Sequence, residues 1–217
     1  MRGHHEIVAT DRPTRRLDHR LVTLGSERPY KQRVEAEHGT GPLKVVIIMD
    51  CSDSMSMQCL PNGVTPISEG RHFVAVLNEL AKRRRVEGIV ALSKVGYSTA
   101  RCQAIRLPMP DEDILRITAD GDGEGLAMAL ERLAPAIREA DMTALYTDGN
   151  ITDIPIDKPK LHKKGVHLYG LYVGPDSHSP NLRTHTDYPI TADSLEVLTG
   201  RYAKTLISNR ARRRTGA

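Results

Sequence analysis

The 217-residue chain contains no tryptophan and a single phenylalanine, so its core is expected to be packed from aliphatic side chains. Its three cysteines, Cys51, Cys59 and Cys102, are odd in number and form no C-x-x-C pair. That argues against a disulfide framework or a cysteine-based zinc site and points to a reducing compartment. The nine histidines are scattered, and the His4-His5 pair has no cysteines at zinc-site spacing. No apolar stretch approaches membrane-spanning length and no signal peptide is visible, so a soluble, cytoplasmic protein with no membrane partner is expected. Internal repeats are also missing. The charge balance is only mildly basic, with 31 Lys and Arg against 27 Asp and Glu, formally +4. Much of that excess sits at the ends, in Arg12, Arg15, Arg16 and Arg20 and again in Arg210, Arg212, Arg213 and Arg214. Such runs can contact nucleic acid or an acidic partner, and they are equally what a solvated terminus looks like.

What remains is 39% hydrophobic and 27% charged, a composition that buries a core, at a length that fits one α/β domain with short extensions. Residues 1–42 read as a basic N-terminal arm with one short helix near residues 14–24, closed by Gly39-Thr40-Gly41-Pro42. Residues 43–208 read as the domain, and residues 209–217 as a basic C-terminal tail. Within the domain, strands are expected at residues 45–49, 88–95, 101–107, 142–146 and 166–173, with a short edge strand at 188–191. Helices are expected after Ser68 as N-cap, at 111–116, after the loop 120–125, and after a cap at Thr191 or Asp193. Pro135 should kink or restart the helix it falls in. The last helix should face inward with Leu195, Leu198, Tyr202 and Leu206. Strands alternating with helices imply an α/β fold with a doubly wound, mostly parallel, Rossmann-like sheet covered by helices on both faces.

One stretch organises this pattern. Leu43 to Ser56 reads LKVVIIMDCSDSMS: an apolar, β-branched run suited to a strand buried on both faces, then Asp50, Ser52 and Ser54 at alternate positions. A carboxylate and two hydroxyls thus leave the carboxyl end of a buried strand, where open α/β sheets build their sites. They are hard oxygen ligands of the kind that suits Mg²⁺ or Mn²⁺. A turn would use the same residue types; the preceding strand and the later partners favour the metal. Those partners are Asp122 and Glu124 in the loop DGDGEG, and Asp148 in Thr147-Asp148-Gly149 after the fourth strand. If the first and fourth strands are neighbours, all three loops converge on one sheet edge. Glu124 also reads as a first-turn helix acid favoured by the dipole. Cys51 reads as a small buried hydrophobe and Asp53 as a turn residue. No His or Cys is placed among these residues as base or nucleophile, which favours a binding module over a catalyst.

Asp50-Cys51-Ser52-Asp53-Ser54-Met55 resembles the D-x-S-G-S-M signature of von Willebrand factor A domains, which in that family forms the metal-ion-dependent adhesion site. Asp53 stands where the family has Gly; Asp tolerates left-handed backbone better than most residues, so the turn survives the exchange. The resemblance implies metal contacts from Ser52 and Ser54, with Asp50 and Asp148 acting largely through water; the family's second-loop Thr has no counterpart. DGDGEGLAMALERL, LYTDGNITD, HLYGLYVGPD with ITADSLEVL, and Arg16-Leu17-Asp18 resemble the carboxyl-terminal domain of the T subunit of aerobic cobaltochelatase. Because the usual adhesion site captures a partner carboxylate, Asp122 or Glu124 is expected to complete the site and make partner binding less metal-bridged. The resemblance further implies a MoxR-type AAA+ ATPase and a protein target as partners, in a cobaltochelatase-like or phage or mobile-element system. The chain would then be an accessory subunit, not catalytic alone.

Two other readings stay open. A haloacid-dehalogenase-like, Mg²⁺-dependent phosphatase also places an Asp nucleophile after its first buried strand, but Ser52 stands where its second Asp belongs, and its phosphate lysine would have to come from Lys158, Lys160, Lys163 or Lys164. A nucleic-acid-associated protein would use the basic ends, without an aromatic platform or a reader motif.

Overall fold

The computed structural model is described over residues 5–10, 30–35, 41–57, 60, 63–97, 100–173, 180–192 and 194–215. The chain divides into two compact units, Met1–Gly41 and Pro42–Ala217. In the first, β1 (His5–Thr10) pairs antiparallel with β2 (Tyr30–Glu35), from His5 opposite Glu35 to Thr10 opposite Tyr30. The segment read as an arm therefore contains paired strands. Pairing across some twenty intervening residues is not encoded in local composition, and the polar sequence hid it. The helix expected near residues 14–24 and Arg16-Leu17-Asp18 lie outside the described residues.

The second unit is built on β3 (Leu43–Asp50), β4 (Val86–Val95), β5 (Ala100–Arg106), β6 (Met142–Tyr146), β7 (Leu168–Val173) and β8 (Tyr188–Ala192), in the spatial order β5-β4-β3-β6-β7-β8. Every neighbouring pair is parallel except β4 with β5. The helices are α1 (Ser54–Met57), α2 (Pro66–Lys82), α3 (Asp111–Leu115), α4 (Leu126–Arg132), α5 (Ala134–Glu139), α6 (Lys158–His162), α7 (Pro180–His185) and α8 (Leu195–Thr215). From β3 the chain winds outward to β4 on one side, and β6 begins the other half on the opposite side. The topological switch point, where such sheets open a crevice, thus lies between the carboxyl ends of β3 and β6, the expected first and fourth strands.

Strand alternation divides the core in two. Val45, Ile47 and Met49 of β3 face Phe73, Val74 and Leu77 of α2, Ile114 of α3, and Leu198 and Tyr202 of α8. Val46 and Ile48 face Leu126, Ala129 and Leu130 of α4, Ile137 of α5 and Leu182 of α7. Apolar residues on both faces are why β3 has no polar alternation. The core is mostly aliphatic, but the lone Phe73 stacks on Tyr146 at 5.7 Å and meets Tyr202 edge-on at 5.4 Å. One phenylalanine between two tyrosines gives this face an aromatic centre that composition did not foretell.

Local chemistry sets the helix ends. Thr65, not Ser68, caps α2: its hydroxyl accepts from Ser68 N at 3.4 Å, and Pro66 fills the first turn, where no N–H is needed. Pro135 restarts the helix, separating α4 from α5. Ser194 Oγ accepts from Val197 N at 3.4 Å at the start of α8; Thr191 belongs to β8, and Asp193 and the side chain of Leu206 lie outside the described residues. Helix α8 runs to Thr215, through most of the residues read as a tail. No helix among the described residues is long and apolar enough to cross a membrane.

Asn78, wholly buried in α2, fastens the segment that leads into α3. Its Nδ2 donates to Met109 O and Asp111 Oδ1, both at 2.9 Å, and its Oδ1 accepts from Met109 N at 2.8 Å. Asn78→Leu leaves two buried backbone groups of Met109 unpaired and should lower unfolding free energy by about 2–3 kcal/mol, measured by urea denaturation.

Candidate metal centre

Asp50 ends β3 with 0% of its surface exposed. Its Oδ1 accepts from Ser52 N at 2.8 Å, and its Oδ2 accepts the Thr147 hydroxyl at 2.9 Å. The first bond turns the chain so that Ser52 Oγ lies 3.1 Å from Ser54 Oγ. The second crosses from β3 to the residue that follows β6, because Met49 pairs with Tyr146. Asp148 comes next. Its Oδ1 accepts from Asn150 N at 2.9 Å, while its Oδ2 is buried without a hydrogen-bond partner. Adjacency of the two strands thus brings the first and third loops together.

The second loop is laid against the first by backbone contacts. Ser52 forms a parallel bridge with Gly121, Asp53 N donates to Gly121 O at 2.8 Å, and Gly123 bridges to Val95. A Cβ on Gly121 would come within 2.6 Å of Lys94 Cβ, 3.1 Å of Val95 O and 3.2 Å of Cys51 O, so only glycine permits this approach. Asp53 itself needs no left-handed backbone: Arg84 is the non-glycine residue with positive φ among the described residues. The exchange of Gly for Asp at the signature is therefore unstrained.

The two acids of the second loop part company. Asp122 is exposed; its backbone N is bound to Val95 O at 2.6 Å. Glu124 is 2% exposed, and its carboxylate accepts from Thr152 N, Thr152 Oγ1 and Asp153 N at 3.2–3.3 Å. It precedes α4 and does not stand in its first turn, since Gly125 is the N-cap with φ 68°. The dipole position belongs to Asp153, whose Oδ2 accepts from Leu126 N at 2.6 Å. Ser93, buried in β4, donates its hydroxyl to Glu124 O at 2.7 Å. Ser93, Thr147, Thr152 and Asp153 thus hold the loops, and sequence reading had passed them over. The available signals were a lone serine inside an apolar strand and a threonine directly ahead of Asp148.

The electrostatics fit a cation. Burial pushes the Asp50 carboxyl up to about 7, against the pull of the Ser52 and Thr147 hydrogen bonds, and the Glu124 charge adds to the rise. Burial likewise raises the Glu124 carboxyl, with the Asp153 charge acting in the same direction. Among the described residues no ion pair reaches Asp50, Glu124 or Asp148. Buried acids without a positive partner, hard oxygen donors and one unpartnered carboxylate oxygen together match a Mg²⁺-type ion. Cys51 plays no part as a thiolate, because burial pushes its thiol up to about 12. The remaining cysteine of the described residues, Cys102, is free and buried. Lys158, offered by the phosphatase reading, is spent on Arg183 O and Thr186 O at 3.0 and 3.3 Å.

No protein-family model matches the chain, and no curated protein matches it in sequence. Solved structures do. The VWA domain of SpRpn10 matches with a TM-score of 0.51 at 8% identity, over 74% of this chain and 95% of that one. The pilus adhesin SpaC from Lactobacillus rhamnosus GG matches with a TM-score of 0.53 at 13% identity, over 79% of this chain and 30% of the adhesin. Proximal thread matrix protein 1 from the mussel byssus matches at 17% identity with a TM-score of 0.49, over 76% of this chain and 45% of that protein. The chain therefore spans less than half the length of two of these three. At such identities the likeness to the SpRpn10 domain and the adhesin is one of architecture, and with the sheet described above it shows a six-stranded, mostly parallel α/β fold like that of the VWA domain.

Proposed function

We propose that the chain is a divalent-metal-binding interaction module, serving as an adaptor between a MoxR-type AAA+ ATPase and a protein target in a cobaltochelatase-like or phage or mobile-element system. The carrying observation is the buried, unpartnered Oδ2 of Asp148, beside strand β3 with its wholly buried Asp50 and paired serine hydroxyls. Ser52, Ser54 and Asp148 would hold Mg²⁺ or Mn²⁺, with Asp50 fixing the serine loop through Ser52 N and steadying the ion by its charge. When bound, the ion supplies positive charge and an open position for an oxygen ligand of the partner. Glu124 is spent on the third loop and acts by positioning it. Asp122 stays at the solvent edge.

The surroundings support a docking face. Met57, Tyr97 and Ile154 are large, exposed apolar side chains, and each lies in a segment that follows the carboxyl end of β3, β4 or β6. They thus leave the same end of the sheet as the three loops. Apolar groups beside a polar anchor are what a protein partner uses. The adaptor role and the ATPase rest on the sequence resemblance. The phosphatase reading is disfavoured because Asp50 is fully buried, so its carboxylate is not open to attack on a substrate phosphorus.

Mg²⁺ titration by calorimetry should show one site, weakened about tenfold or more by Asp148→Asn and by the Ser52→Ala, Ser54→Ala pair. Retained binding in both would remove the metal from the account. Glu124→Gln, which keeps an acceptor for Thr152 N, should hold the affinity within about threefold, whereas a direct ligand would lose about tenfold or more. Gly121→Ala should lower Mg²⁺ affinity and lower the unfolding free energy by about 1–3 kcal/mol, since backbone oxygens cannot give way. Capture of an AAA+ ATPase from the source cell should be lost in chelator and in Asp148→Asn; Asp50-dependent hydrolysis of a phosphate ester would restore the phosphatase reading instead.

A further inference from the structure

We propose that His162, His167 and Asp187 form a second cation site, of zinc type, at the sheet edge opposite the strand-carboxyl-end site. His162 is the last residue of α6. The chain then turns back through Gly165, at φ 69°, with Gly165 N donating to His162 O at 2.8 Å and Val166 N to Leu161 O at 3.1 Å. This returns His167 beside His162, with ring centroids 4.9 Å apart. Asp187 arrives from elsewhere in the chain, just ahead of β8. It is clamped to the start of β7: its backbone N donates to Leu168 O at 2.8 Å, and its Oδ2 accepts from Leu168 N at 2.8 Å. That clamp leaves Oδ1 free to face the imidazoles, and it lies 2.7 Å from His162 Nε2.

One ligand atom from each of the three residues lies within 4.8 Å of the others. Ligands around a tetrahedral ion at about 2.0–2.2 Å stand some 3.3–3.6 Å apart, so small rotations of two exposed imidazoles close the set. Two imidazoles and a carboxylate are the donors of Zn²⁺ and its borderline neighbours, whereas Mg²⁺ prefers oxygen alone. Three protein ligands leave a fourth position for water or a partner side chain. The carboxylate is already oriented, since the Leu168 amide donates to its other oxygen. An ion there would tie the end of α6 to the β7–β8 edge. The inference does not depend on the Mg²⁺ reading, because it uses other residues at the other end of the sheet.

The test uses the untagged full chain in excess Mg²⁺, titrated with Zn²⁺ against a chromophoric chelator, and with Co²⁺ followed by visible absorption. The wild type should bind one Zn²⁺ more than the His162→Gln, His167→Gln variant, or bind it at least about tenfold more tightly. It should also give the intense d–d bands of four-coordinate Co²⁺, lost in the variant and retained in Asp148→Asn. Zn²⁺ should raise the thermal midpoint of the wild type and not that of the variant. Both histidines are exposed, so the variant is expected to fold, which its circular dichroism checks. Equal Zn²⁺ stoichiometry and affinity in wild type and variant, or a Co²⁺ spectrum unchanged by the substitutions, would overturn the site and leave a simple His162–Asp187 pair.

Discussion

A hydrogen bond between two strands fixes the junction on which the candidate site depends. The Thr147 hydroxyl, one residue beyond β6, donates to the carboxylate of Asp50 at the end of β3. It joins the two strands at the switch point and holds an acid where no water reaches it. Burying a charge is costly unless it is paired and hydrogen-bonded. The Thr147 and Ser52 bonds offset only part of that cost, as the upward push on the Asp50 carboxyl shows. Glu124 and Asp148, also buried, deepen the deficit of positive charge. The proposed cation would meet that deficit, and the hard oxygens at the junction would select its class.

The rest of the second unit makes this junction rigid. Apolar side chains on both faces of β3 press it between α2 and α8 on one side and α4 and α5 on the other, so its end cannot drift. The second loop has little core of its own and is tied by backbone: Gly121 to the first loop, Gly123 to Val95, and Ser93 to Glu124 O. Glu124 then reaches Thr152 and Asp153 and ties the third loop to the second. The three loops are thereby cross-braced into one rim.

The parts that sequence made legible are those written locally. An unbroken apolar run ending in Asp50, Ser52 and Ser54 announces a buried strand and the polar loop that leaves it, and Asp148 after Met142–Tyr146 does the same. That the two strands adjoin followed from the alternation of strands and helices. What stayed hidden depends on distant partners. Thr147, Ser93 and Asp153 are ordinary residues until the fold brings Asp50, Glu124 and Leu126 to them. Glu124 looked like a first-turn acid because nothing in DGDGEG says that Gly125 is the cap. Ser68 looked like the cap of α2 because serine is a ready N-cap by itself, whereas Thr65 gains that role only from the helix beginning at Pro66. The β1–β2 pair and the His162, His167, Asp187 cluster both need long-range pairing, the latter that of β7 with β8, and so left no local trace.

The central claim is that oxygen atoms from separate segments meet around one divalent ion at the β3–β6 junction. It is tested most directly by a crystal structure of the protein grown with Mn²⁺, read from the anomalous difference map. The account predicts one peak within bonding distance of Ser52 Oγ, Ser54 Oγ and a carboxylate oxygen of Asp148, on the side of the buried Oδ2. A map with the junction empty at saturating Mn²⁺, or with the ion held elsewhere and Asp148 turned away from the serines, would contradict it.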